Sequence, residues 1–146
     1  MHRSSRWIAQ ALGAQLHGND VEVTGTVETD SREIRQGSLF VARRGENSDG
    51  HNYLDAAERN GAVAAIVEHL CDSPLTQIIV EDSTIALGEL ARAYLSDLRS
   101  HQKLDVIAMT GSVGKTTTKD LLAAIMGADA PTVAPPLSFN NEVGLP

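Results

Sequence analysis

The order of apolar segments in this 146-residue sequence predicts an α/β fold. Short, nearly continuous apolar runs at 38–42, 62–67 and 77–80 have the length of strands buried on both faces. Stretches with helical apolar spacing separate them, as strand–helix alternation requires. A fourth apolar run, 106–109, passes directly into a glycine-rich loop and a helical pattern.

Taken in order, Ser4 or Ser5 can cap a first helix carrying Trp7, Ile8, Ala11 and Leu12, which Gly13 ends. Val21, Val23 and Val27 around Gly25 suggest short strands. Gly37 precedes the buried run 38–42, and a polar, glycine-bracketed loop, 43–51, follows it. Leu54, Ala56 and Ala57 lie on a helix that Asn60 and Gly61 stop. After the runs 62–67 and 77–80, Asp82 or Ser83 can cap a helix with Leu87, Leu90, Ala91, Tyr94, Leu95 and Leu98 at helical spacing. Residues 100–103 form a short polar joint, taken as the boundary between domains 1–100 and 101–146. Beyond it come strand 106–109, a helix over 117–126 and the start of another strand near Thr132 and Val133.

Hydrophobic residues make up 42% and charged residues 21%, a globular balance, and with 3% aromatics the core must be aliphatic. The net charge of −7 argues against a nucleic-acid binder. Cys71 is alone, so no intrachain disulfide forms and no cysteine pair offers metal-ligand spacing. The five histidines are scattered and expected in surface or turn positions. No apolar run is long enough to span a bilayer and no signal peptide is evident, so no membrane insertion and a cytoplasmic setting are expected.

The loop carries the chemistry. Thr110-Gly111-Ser112-Val113-Gly114-Lys115-Thr116-Thr117 lies between a strand pattern and a helix pattern, the context a phosphate-binding loop requires. Gly111 and Gly114 let the backbone approach phosphates, and the amides at the helix start point at the anion. Lys115 is the candidate catalytic residue, reaching the β- and γ-phosphates of ATP, and the Thr116 hydroxyl can ligate Mg²⁺. Gly111, Ser112, Val113, Gly114, Lys115, Thr116 and Thr117 form the candidate ATP site. Met109 stands where the general pattern begins with glycine, so the motif is a short form.

That short loop resembles the phosphate loop of the Mur ligase family. Asp30-Ser31-Arg32, the 37–42 segment, Gly45 through His51 and the 61–67 segment resemble the small N-terminal UDP-binding domain shared by the MurE and MurF types. Lys119-Asp120 and the 138–146 segment are similar to the MurF type. The resemblance implies an ATP-dependent ligase that joins D-alanyl-D-alanine to UDP-N-acetylmuramoyl-tripeptide through an acyl phosphate. It also implies a UDP-substrate site at Ser31, Arg32, Glu46, Asn47, Ser48, Asn140 and Asn141. Each of these residue types also favours turns or caps. Family members have three domains and this sequence ends early in the second, so the chain is expected to be an inactive fragment of such a ligase. The alternatives are a MurE-type ligase adding the third amino acid, a generic phosphate-loop ATPase or kinase, and a UDP-sugar-binding module.

Overall fold

The computed structural model describes residues 1–45 and 48–135. Strands β1 (Arg3–Ser4), β2 (Gln15–His17), β3 (Glu22–Val23), β4 (Val27–Glu28), β5 (Ser38–Val41), β6 (Ala62–Val67) and β7 (Thr76–Ile79) accompany helices α1 (Ser5–Ala11), α2 (Leu54–Arg59), α3 (Ser83–His101) and α4 (Lys115–Gly127). A five-stranded sheet has the order β2-β7-β6-β5-β4, while β1 and β3 form a separate antiparallel pair. Strands β4 to β7 run parallel, with Val41 opposite Ile66 and Ile66 opposite Ile78. The edge strand β2 is antiparallel to β7 and has no counterpart among the predicted elements. Its three residues are exposed, half-buried and exposed, too short and polar a pattern to read as a strand.

The sheet is covered on both faces, so its central strands are apolar throughout. Leu39, Val41, Ala64, Ile66 and Ile78 pack with Ile8 of α1 and Ala86, Leu87 and Leu90 of α3. The alternate residues Phe40, Ala42, Ala65 and Val67 pack with Leu54 and Ala57 of α2 and with Ile34. One face per alternate residue is the period-2 geometry of a strand. Ser4 caps α1 by accepting from the Trp7 amide at 3.2 Å, and Asp82 caps α3 by accepting from Thr84 and Ile85 at 2.8 and 2.9 Å. Arg3 ties the two helices, with its guanidinium 5.3 Å from the ring centroids of both Trp7 and Tyr94 and an ion pair to Asp97. Inside β7, the buried Gln77 side chain both accepts from and donates to the Cys71 backbone at 2.9 Å, closing the β6–β7 connection.

The C-terminal stretch departs from expectation. Residues 103–110 form no strand, and Val106 and Ile107 are 50% and 57% exposed. A buried-type strand needs ladder partners on its flanks, and no described residue supplies them. Helix α4 starts at Lys115, two residues earlier than predicted, and has no buried residue. No strand forms at Thr132 and Val133. The described structure thus bears out an α/β fold with a parallel sheet, without a second sheet around the phosphate loop.

Candidate functional site

In the 110–117 segment the glycine turn and the helix start take form, while the strand expected before them does not. Gly114 sits at the N-terminal boundary of α4 with φ 82°, in the left-handed region where a β-carbon is strained. No side chain caps the helix, and its first turn holds no acidic residue. A helix start of this kind offers backbone N–H groups and the positive end of the helix dipole to an anion. The Lys115 ammonium folds back onto the Gly111 carbonyl, across the loop it would share with a phosphate. Ser112, Val113 and Thr117 are exposed. These features fit the triphosphate of a nucleotide. For Mg²⁺ the fit is thinner: among the described residues no group of three or more His, Cys, Asp or Glu side chains could hold a metal ion. Thr116 and phosphate oxygens would have to supply the ligands.

A second polar region lies at the C-terminal edge of the parallel strands, where ligands of open α/β sheets bind. The chain leaving β5 brings residues 43–45 against residues 48–50, the two arms of a hairpin. The Gly45 amide donates to Ser48 O at 2.8 Å, Arg44 pairs with Asp49, and the Gly50 amide donates to Arg43 O at 2.7 Å. A β-carbon on Gly50 would lie 2.6 Å from Arg43 N, so only glycine permits this approach. Asp49 then caps the following 3-10 turn (Gly50–Tyr53) by accepting from the His51 amide at 3.0 Å.

A charged network ties this hairpin to the strand ends. His51 lies in that turn, one of the two positions expected of the histidines, but its side chain is turned inward and only 4% exposed. Its Nε2 accepts from the Glu68 amide at 2.9 Å, so Nδ1 carries the proton and donates to Asp49 Oδ1 at 2.5 Å. The ring stacks on His69 with centroids 4.5 Å apart. Hydrogen bonds from the His51 amide and then its ring hold the Asp49 carboxyl below the usual range. Glu68 Oε1 accepts from Ser83 N and Oγ at 3.2 and 3.0 Å, and Oε2 meets Arg44 Nε at 3.2 Å. Arg43 Nε donates to Thr84 Oγ1 at 3.0 Å, a second tie to the first turn of α3.

Of the predicted UDP-site residues, Ser31 and Arg32 stand on the connection from β4 to β5, and Ser48 on the hairpin after β5. Among the described residues no hydrogen bond joins the two groups; the Ser31 carbonyl instead accepts from Asn60 Nδ2 at 2.8 Å. Arg32 grips Asp30 through Nε and NH2, and those bonds hold the Asp30 carboxyl down to about 2. Arg32, Arg43 and Arg44 therefore all have partners, whereas among the described residues the hydroxyls of Ser31 and Ser48 have no hydrogen-bond partner. Glu46, Asn47, Asn140 and Asn141 lie outside the described residues. The sequence reading missed Glu68 and the structural part of His51. Their one available signal was position: Glu68 directly follows a parallel strand, at the edge where such sheets place their sites.

The model of the Mur ligase family, catalytic domain, matches residues 24–108. The UDP-N-acetylmuramoyl-tripeptide–D-alanyl-D-alanine ligase of Escherichia coli is 37% identical over 139 residues, covering 95% of this chain and 30% of that protein. Its namesake in Haemophilus influenzae is 40% identical over 144 residues, covering 95% and 31%. Among solved structures, a crystal structure of MurF from Acinetobacter baumannii superposes with a TM-score of 0.87 at 35% identity, over 99% of this chain and 31% of that one. MurF ligase from Thermotoga maritima in complex with ADP gives a TM-score of 0.69 at 37% identity, over 84% and 28%. The chain thus spans about 30% of the length of the curated relatives it matches. With more than half its residues matched by the family model, the chain belongs to the Mur ligase family.

Proposed function

We propose that this chain carries the UDP-substrate-binding region, 1–100, and the phosphate-binding start, 101–146, of a ligase that joins D-alanyl-D-alanine to UDP-N-acetylmuramoyl-tripeptide. The observation that carries the reading is the glycine-capped start of α4, with Gly114 left-handed and Lys115 folded over the loop. It occurs in a chain whose named relatives are ligases of that substrate pair and one of whose structural neighbours holds ADP. A carboxylate is a poor electrophile; phosphorylation by ATP gives it a leaving group, and the amine then displaces phosphate to form the amide. Gly111 through Thr117 would bind the nucleotide phosphates, with Lys115 offsetting charge on the transferring group. Mg²⁺, held by Thr116 and phosphate oxygens, would supply further charge neutralisation.

Ser31 and Ser48 would serve the UDP end. Among the described residues their hydroxyls have no partner while the neighbouring arginines are paired, an arrangement suited to hydrogen-bonding a neutral ring. Arg32, Glu46, Asn47, Asn140 and Asn141 belong to the same proposed site, and a cytoplasmic setting to the same reading. The test is a chimera in which this chain replaces the aligned stretch of the E. coli relative. It should ligate D-alanyl-D-alanine in an ATP-dependent manner. Lys115→Ala in that chimera should lower turnover by at least ~100-fold while binding of the UDP-tripeptide persists. Near-normal turnover by the variant would remove Lys115 from the chemistry.

A further inference from the structure

The connection from β4 to β5 is shaped by its own residues but placed by one from another element. At its tip, residues 29–33, Asp30 accepts from the Arg32 amide and guanidinium, and the Glu33 amide donates to Asp30 O at 3.1 Å. Both partners of each bond lie inside the tip, so these bonds fix its form and leave its direction open. Further along, the buried Ile34 and the bond from the Gly37 amide to Gly61 O at 2.8 Å seat the return into β5. Between Glu28, the end of β4, and Ile34, one hydrogen bond among the described residues reaches another element. Asn60 Nδ2 donates to the Ser31 carbonyl at 2.8 Å, across 29 positions.

The helix it ends does not explain Asn60. It is the C-cap of α2 with φ −86° and ψ −3°, right-handed values that most residues adopt. The left-handed residue that turns the chain out of the helix is Gly61, with φ 106°. The cap bonds come from the Asn60 backbone amide, which leaves the side-chain amide to Ser31. We infer that Asn60 is a positioning residue for the UDP-linked substrate: by holding the Ser31 carbonyl it sets the direction in which the Ser31 hydroxyl is presented. The inference rests on the reading of Ser31 as a UDP-site residue and uses no other member of that site. Carbonyl and hydroxyl belong to one residue, so holding the first leaves the second chiefly its own side-chain rotation to lose on binding. Freedom removed before the ligand arrives is how a supporting residue improves affinity without touching ligand.

Asn60→Asp keeps the size of the side chain and removes the donor that reaches Ser31. Asn60→Ala removes the same donor without adding a charge, at an exposed position that tolerates truncation. Calorimetry measures binding of UDP-N-acetylmuramoyl-tripeptide to the full 146-residue chain for both, for Ser31→Ala and for Asn60→Ala combined with Ser31→Ala, with the Tm of each. Each Asn60 variant should raise Kd roughly fivefold, the worth of one hydrogen bond, with Tm little changed. Ser31→Ala keeps its backbone carbonyl and hence the bond to Asn60, so its loss reads the hydroxyl alone. Because Asn60 acts through that hydroxyl, the double variant should lose no more than Ser31→Ala does by itself. A merely structural role would instead lower Tm and give losses that add. Unchanged affinity in Asn60→Ala, a loss confined to Asn60→Asp, or fully additive losses would each overturn the inference. A wild-type chain with no affinity for the UDP-tripeptide, or Ser31→Ala binding as tightly as wild type, would overturn the reading of Ser31 itself. That outcome is distinct from Ser31-dependent binding that Asn60→Ala leaves intact.

Discussion

Asp30 and Arg32 show what a two-residue spacing does at a turn: the carboxylate accepts from the Arg32 amide at 2.9 Å and takes its guanidinium as well. The Asp30 pKa drops from 3.8 to about 2 for that reason. A carboxylate depressed in the folded state contributes stability that is present above its unfolded pKa and lost as pH falls through the folded one. The window here runs from about 3.8 down to about 2. Because Asp30 is well exposed, solvent screening keeps the effect below about 1 kcal/mol. Urea unfolding of Asp30→Asn across this range should show a shallower loss of stability than wild type; parallel curves would refute the pairing. Asp30-Ser31-Arg32 could be picked out from residue types alone, since the interaction is local. The His51–Glu68 contact could not, because it joins residues 17 apart in sequence and on different elements.

Element by element, legibility follows burial. Strands β5 and β6 were readable because both faces are covered, so apolar residues run unbroken along them. β2 was not, since it is an edge whose place is set by hydrogen bonds to β7 and not by side chains. The run 106–109 has the same apolar signature as β6 yet forms no strand, because periodicity records a capacity for burial and only neighbours realise it. Helices α3 and α4 make the same contrast. α3 buries Ala86, Leu87 and Leu90, whereas Leu121 and Ile125 of α4 are 60% and 66% exposed. A helix of this length without a packed face is marginal in water. Amide exchange across 115–127 in the monomeric chain should therefore be faster than across 83–98. Equal, strong protection of both would show that α4 is stabilised by contacts outside the described structure.

At the scale of the molecule, the apolar core of the described residues lies about the two faces of one sheet, and its buried members all precede position 91. Stability should therefore be set by residues 1–101. A variant ending after Lys103 is expected to unfold in a single transition with Tm within about 3 °C of the full chain, since little buried surface is lost. A larger drop in calorimetry would mean that 104–135 contributes to the core. The α/β class and the order of the main strands and helices up to α3 were legible because that part of the chain is self-covering. The glycine-rich loop was legible for a different reason: its glycines and Lys115 are not packed in a core, so the motif stands in the sequence whether or not a sheet surrounds it.

Trp7 is the single tryptophan of the chain, and its ring lies under the guanidinium that also covers Tyr94 and pairs with Asp97. Nature has thereby installed one fluorophore at the seam between α1 and α3. Its emission reports whether that seam is closed, free of interference from other indoles. A shift in emission on denaturation tracks the sheet's helical cover, so intrinsic fluorescence is a readout of folding at that seam.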